Sequence, residues 1–237
     1  MNVSLNTLEG LRVAVTGGTS GLGLALVTQL HRRGAQVAFV ARNAERVTEV
    51  AQRFPGAHGI VGDVASKEGA HPLALQIAAA LGGLDILINN ASSLGPAALA
   101  PLADTECEDF ESALAANLLG PFRLTKALLG ALASSARQGR PALVVNITSD
   151  AGVNAYPGWG AYGASKAALA HLGRIWDEEL KEHGIRVIAH DPGDMDTPLH
   201  AQALPDADPA DLKAPSTSAA ELLDRIAHVV AAEEVGV

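Results

Sequence analysis

The sequence predicts a doubly wound α/β domain, a Rossmann-like parallel sheet with helices on both faces and three layers in all. Short runs rich in β-branched residues alternate with longer stretches of helical period, the sequence form of repeated βαβ units. Each run is nearly all apolar, as strands covered on both faces must be. The 237 residues, 48% hydrophobic and 18% charged, suit one large core and no second domain.

In chain order the strands read as Arg12 to Thr16, Gln36 to Ala41, His58 to Gly62, Asp85 to Asn89, Ala142 to Thr148 and Arg186 to His190. Helical period marks Leu22 to Arg33, Ala44 to Arg53, Ser66 to Leu81, Thr105 to Ser134, Tyr162 to His183 and Ala219 to Ala232. Right-handed crossovers then set a ligand cleft beyond the carboxyl ends of the strands. Between Pro192 and Ser218 a stretch rich in Pro, Asp and Ala reads as a long functional or mobile loop, with 193–218 as its substrate-facing part.

Composition excludes several function classes. A formal net charge of -9 with no gathered Lys and Arg opposes nucleic-acid binding. Cys107 is the only cysteine, so no intrachain disulfide forms and nothing points to an oxidising compartment. Apolar runs end well before the roughly 18 residues of a membrane span. The start Met1-Asn2-Val3-Ser4 lacks a basic, then apolar, leader, which makes the cytoplasm the expected location. The eight histidines show no ligand spacing, so no metal is expected.

After the first strand comes Thr16-Gly17-Gly18-Thr19-Ser20-Gly21-Leu22-Gly23, with glycines in the turn where a helix begins. Backbone can approach a pyrophosphate there, and the helix start offers unpaired N–H groups and a positive dipole end. Further on, Tyr162 and Lys166 stand four residues apart and share one helix face. Alone, such a pair is usually surface packing, since any helix can place an aromatic before a Lys. Ser149 ends the fifth strand thirteen residues before Tyr162 and adds a hydroxyl able to donate to a carbonyl oxygen. A tyrosine with a free pKa of about 10 needs roughly 4 kcal/mol of differential stabilisation to work as an acid/base near neutrality, which a nearby ammonium and a cationic ring could supply.

The G-x-x-x-G-x-G spacing resembles that of the short-chain dehydrogenase/reductase family. The resemblance extends through Asp63-Val64, Asn89-Asn90-Ala91, Asn117, Ser149, Tyr162, Lys166 and the Pro192-Gly193-x-x-x-Thr197 segment, nearly the whole chain. It implies an oxidoreductase that moves hydride between nicotinamide and a carbonyl or alcohol. Tyr162 would give or take the proton, Ser149 would position the substrate oxygen, and Lys166 would bind the nicotinamide ribose and lower the phenol pKa. Asn117 matches the residue that holds a water in a proton relay, with a buried structural Asn as the alternative. Gly17, Thr19, Ser20, Gly21, Leu22 and Gly23 would cradle the dinucleotide together with Val64, Asn90, Ala91, Pro192 and Gly193. Asp63 would reach the adenine, Asn89 the adenosine ribose region and Thr197 the carboxamide, unless these serve as caps or turn residues.

Two departures stand out. The family usually reads Asn-Asn-Ala-Gly after strand four, whereas this chain places Ser92 fourth, so a side chain crowds that turn. No seventh strand follows the last helix before Val237, where the resemblance implies one, so a homodimer is expected a little ahead of a homotetramer. Tyr156, Trp159 and Tyr162 gather three of the eight aromatics in seven residues and suggest a substrate-pocket wall or a core or subunit contact. Asp150 either faces the cleft, where it would repel anions, or sits in solvent.

The cofactor reading rests on the residue after strand two. NAD enzymes place Asp or Glu there, and this chain has Ala41 and then Arg42, whose guanidinium suits a 2′-phosphate. NADP(H) is therefore expected over NAD(H), although Ser20 supplies no second basic residue. The alternatives are a 3-oxoacyl-thioester reductase, whose acidic carrier fits poorly with the net charge, a sugar-nucleotide enzyme of the same fold, and a silent dinucleotide-sensing protein.

Overall fold

The structure, a computed structural model, describes residues 8–96 and 98–234. Six parallel strands form one sheet: β1 (Arg12–Thr16), β2 (Gln36–Ala41), β3 (His58–Val61), β4 (Ile86–Asn89), β5 (Leu143–Ile147) and β6 (Arg186–His190). Their order is β3-β2-β1-β4-β5-β6, so the chain starts at the centre, winds to one edge, then returns and winds to the other. Between β1 and β4 the order switches, and a crevice opens there at the carboxyl ends.

The helices are α1 (Gly21–Arg32), α2 (Ala44–Arg53), α3 (Ala70–Leu81), α4 (Cys107–Leu114), α5 (Gly120–Arg137), α6 (Gly160–Leu180), α7 (Pro198–Ala203) and α8 (Pro215–Glu234). Alternate strand residues point to opposite faces, and two cores result. Val13, Val15, Val37, Phe39, Ile86 and Val145 meet Leu26, Leu30, Val50 and Leu223 of α1, α2 and α8. Ala14, Ala38, Val40, Leu87 and Val144 meet Leu73, Ile77, Leu124, Leu128 and Trp176 of α3, α5 and α6. Truncating a fully buried leucine such as Leu26 to Ala would cost about 2–5 kcal/mol.

Two sequence expectations are corrected. The single helix expected from Thr105 to Ser134 is broken into α4, a wide π turn over Ala115–Leu119, and α5. Pro121 explains the break, because it has no N–H for the carbonyl four residues back and its ring crowds that turn. The expected open loop from Pro192 to Ser218 is folded: Thr197 caps α7 ahead of Pro198, and Met195 bridges Lys213. The backbone N–H of Lys213 donates to the Asp194 carbonyl and that of Asp196 to the Lys213 carbonyl, both at 3.0 Å. The buried Ser218 hydroxyl donates to the Pro192 carbonyl at 2.9 Å and closes the segment. No helix among the described residues is long and apolar enough to cross a membrane.

Candidate active site

The turn after β1 is built from the backbone outward. Thr16 Oγ1 accepts from the main-chain N–H groups of Asn90 and Ala91, each at 3.0 Å, and the Asn90 amide donates to the Thr16 carbonyl at 2.8 Å. The ends of β1 and β4 are thereby locked together beneath the turn. A Cβ on Gly23 would lie 2.0 Å from the Gly17 carbonyl oxygen, so only glycine lets α1 start this close to the strand. Ser20 caps α1 without a side-chain bond, and no acidic residue occupies the first turn. A pyrophosphate fits here, since the cradle is bare backbone and the first N–H groups of α1 are left for an anion.

The second half of the site hangs on α6. Tyr162 and Lys166 lie on its first two turns, 8% and 2% exposed. Close approach of α6 to the segment after β5 depends on Gly163, whose Cβ would fall 2.5 Å from the Ala151 carbonyl oxygen. That segment carries Ser149, which accepts from Ala151 N–H at 3.2 Å and donates to the Asp150 carboxylate at 3.2 Å. Asp150 also accepts from the Tyr156 hydroxyl at 2.7 Å, so it faces the cleft and ties the serine to the aromatic wall. Trp159 meets the Tyr162 ring edge-on at 5.6 Å.

The Lys166 ammonium donates to the Ile147 carbonyl at 2.8 Å and sits 5.4 Å from the centre of the Tyr162 ring. Burial pulls its pKa down to about 8, with the Asp191 carboxylate working against that. The phenol moves opposite to the sequence expectation. Burial pushes Tyr162 up to about 12, the hydroxyls of Ser149 and Ser92 offset part of this, and Asp191 and Asp150 add to it. In the protein alone the phenol therefore keeps its proton at neutral pH.

One cleft of about 670 Å³ is lined by Gly17, Thr19, Ser20, Gly21, Leu22, Gly23, Arg42, Asp63, Val64, Asn90, Ala91, Ser149, Tyr156, Trp159, Tyr162, Lys166, Pro192, Gly193 and Thr197. Arg42 is exposed at its far end and makes no hydrogen bond or ion pair with another described residue. Asp63 serves locally as well, accepting from Ala65 N–H at 2.9 Å, and Thr197 accepts from His200 N–H at 3.2 Å.

Asn89 and Asn117 stand behind the cleft wall. The Asn89 amide donates to Asn146 Oδ1 at 2.9 Å and Thr125 Oγ1 at 3.2 Å, joining β4 to β5 and α5. Asn117 is fully buried in the π turn. Its amide donates to the Ser93 carbonyl at 2.7 Å and Ser165 Oγ at 2.9 Å, while its oxygen accepts from Ser93 N–H and the Ser92 hydroxyl. Sequence reasoning passed over Arg46, which lines the cleft with Arg42; its place on the first turn of α2, just past Arg42 at the end of β2, was the available signal. Among the described residues no group of three or more His, Cys, Asp or Glu could hold a metal ion.

Comparison with known proteins agrees with this geometry. The profile of the family described as short chain dehydrogenase matches residues 12–208. A 2,5-dichloro-2,5-cyclohexadiene-1,4-diol dehydrogenase of Sphingobium indicum is 35% identical over 84% of this chain and 78% of its own length. A rhamnolipids biosynthesis 3-oxoacyl-[acyl-carrier-protein] reductase of Pseudomonas aeruginosa is 36% identical over 79% of this chain and 73% of its own. Among solved structures, an Escherichia coli protein of short-chain dehydrogenase type complexed with NADPH superposes with a TM-score of 0.83 at 27% identity, covering 94% of this chain and 92% of that one. Fold, site geometry and these likenesses agree that the chain belongs to the short-chain dehydrogenase family, oxidoreductases of the alcohol–carbonyl couple.

Proposed function

We propose that this enzyme is an NADP(H)-dependent carbonyl reductase, running in reverse as an alcohol dehydrogenase, with Tyr162 as the acid/base. The observation that carries the reading is the buried phenol at the floor of the cleft, which Ser149 lines as well, with the Lys166 ammonium 5.4 Å from the centre of its ring. The nicotinamide supplies the hydride when bound. The chain's own residues do the rest. Ser149 turns its hydroxyl from Asp150 to the substrate oxygen, Tyr162 delivers its proton to that oxygen, and Lys166 holds positive charge beneath the ring to stabilise the phenolate left behind. A phenol that burial pushes upward holds its proton at neutral pH in the protein alone, so the proton to be delivered is in place.

The cofactor preference rests on Arg42 and Arg46, two exposed guanidiniums at the end of the cleft past β2, where the residues directly after that strand bring no carboxylate into the cleft to accept from a ribose hydroxyl. The substrate is a neutral carbonyl compound. Asp150, Asp191 and Asp194 line the opposite end, so anionic groups are repelled, and Tyr156 and Trp159 offer apolar area. The same carboxylates weigh against an acidic carrier protein as donor of a 3-oxoacyl thioester. Cytoplasmic location and a homodimer or homotetramer complete the proposal.

Tyr162→Phe removes the transferable proton and little volume. Assayed by NADPH oxidation against a panel of neutral ketones and aldehydes, it should turn over at less than about a hundredth of the wild-type rate while binding NADPH as before. Turnover above that level in the variant would remove Tyr162 from the role.

A further inference from the structure

One hydroxyl at the phenol has no place in the scheme above. Ser92 follows the Asn89-Asn90-Ala91 turn of β4, at the position where the family's usual glycine leaves no side chain. It lines the same cleft as the Tyr162 phenol and donates to Asn117 Oδ1 at 3.1 Å. Asn117 Oδ1 does not depend on that donor, because it also accepts from Ser93 N–H at 2.8 Å. The Asn117 amide continues to Ser165 Oγ at 2.9 Å, and Ser165 donates to the main-chain carbonyl of Tyr162 at 2.6 Å. Ser92 and Asn117 thus head a chain of polar contacts that runs from the cleft wall to the helix backbone of Tyr162 itself.

A serine hydroxyl carries one proton and two lone pairs, and its rotor is free to choose a partner. While the phenol holds its proton, Ser92 can accept from it and keep donating to Asn117. When the proton leaves for the substrate oxygen, the phenolate becomes the strongest acceptor nearby, and the donor that Asn117 can spare is the one beside it. We propose that Ser92 is a further catalytic residue of this enzyme, a rotor whose hydroxyl donates to Asn117 before proton transfer and to the Tyr162 phenolate after it. Ser149 is not available for this, since its one proton turns from Asp150, to which it donates at 3.2 Å at rest, to the substrate oxygen. The phenolate is then met by the Ser92 hydroxyl, and Ser92 keeps its own proton throughout. This role rests on the reading of Tyr162 as the acid/base.

The contact also bears on ionisation, since the Ser92 hydroxyl lowers the phenol pKa against the burial that raises it. A hydrogen bond to a charged group is worth about one to two pH units. The chain has only two tyrosines, so Tyr156→Phe leaves Tyr162 as the sole phenol. In that background, the near-ultraviolet phenolate absorbance with NADP+ bound, read by rapid pH jumps that outrun unfolding, gives the Tyr162 midpoint directly. Ser92→Ala and Ser92→Gly should each raise it by about one to two units. A structural role for Ser92 would instead lower thermal stability and leave the midpoint in place. An unchanged midpoint in both variants overturns the proposal. The Tyr162→Phe assay fails or succeeds independently: turnover retained there removes the acid/base reading, whereas a dead Tyr162→Phe with a fixed Ser92 midpoint removes Ser92 alone.

Discussion

At the amino ends of β4 and β1 the chain buries Asp85 completely between Arg12 and Arg140, whereas at the carboxyl ends it buries Lys166 and Tyr162 beneath an open cleft. At the amino end the carboxylate takes 2.7 Å contacts from both guanidiniums and a 2.8 Å bond from Arg12 N–H, and Arg12 spends further donors on Gly82 and Ser135. Asp85 is held down at about 2, because these bonds outweigh the burial that would raise it. At the carboxyl end Lys166 spends one of its three donors, on the Ile147 carbonyl, and Arg42 and Arg46 have no side-chain partner among the described residues. Charge that is satisfied within the fold contributes stability. Charge left with spare donors facing a cleft is available to a ligand.

Removing Asp85 tests the stabilising end and should have the largest effect. Asp85→Ala leaves two guanidiniums without their anion and should cost about 3–5 kcal/mol in urea unfolding. NADPH affinity of the folded fraction should stay within about twofold, since additivity holds for distant sites. A loss below about 1 kcal/mol would mean that the cluster is ornamental to the fold.

The glycine turn links the two ends, because its tight packing is local but its purpose is the ligand. In Gly23→Ala the new Cβ must displace the Gly17 carbonyl, an overpacking of about 1–3 kcal/mol. NADPH affinity should fall more than tenfold, which would separate this turn from the Asp85 cluster. Isothermal titration beside a melt reads both quantities, and an affinity unchanged despite lost stability would deny the turn its role in binding.

A smaller effect appears in acid. Asp85 has its folded pKa depressed from 3.8 to about 2, so its contribution is fully present above about 4 and is lost as pH falls through about 2. The amount is roughly 2 kcal/mol. Wild type should lose that much across the window, and Asp85→Asn, already destabilised, should show a flatter limb in urea midpoints measured at successive pH values. Parallel limbs would place the acid sensitivity elsewhere.

The same contrast explains what could be read in the sequence. Strands β1, β2 and β6 were legible to the residue because buried parallel strands are continuous apolar runs between turn signals. That Tyr162, Lys166 and Ser149 would share one cleft was legible from their spacing along one helix and one strand end, which resembles the family's. The break at Pro121 and the cap at Thr197-Pro198 were written in the sequence as proline signals, but helical period and a Pro-rich composition overrode them. Asp85 with Arg12 and Arg140 could not be read, since its partners lie 73 and 55 residues away and only the sheet order brings them together. Nor could the Lys166 bond to the Ile147 carbonyl or the polar chain through Ser92 and Asn117, which join separate elements. The phenol's upward shift belongs to the same class, because burial is a property of the packed molecule.

The central claim is that the spare charge at the carboxyl end reads a ligand, and the most direct test is to titrate the wild-type chain with NADPH and with NADH. A charge-assisted bond contributes about 1.5–3 kcal/mol, so NADPH should bind about 10-fold to 150-fold more tightly. Replacing both Arg42 and Arg46 with Ala should bring the two affinities close to parity while leaving NADH binding nearly unchanged. Equal affinities in the wild type, or a ratio that survives both replacements, would contradict the account.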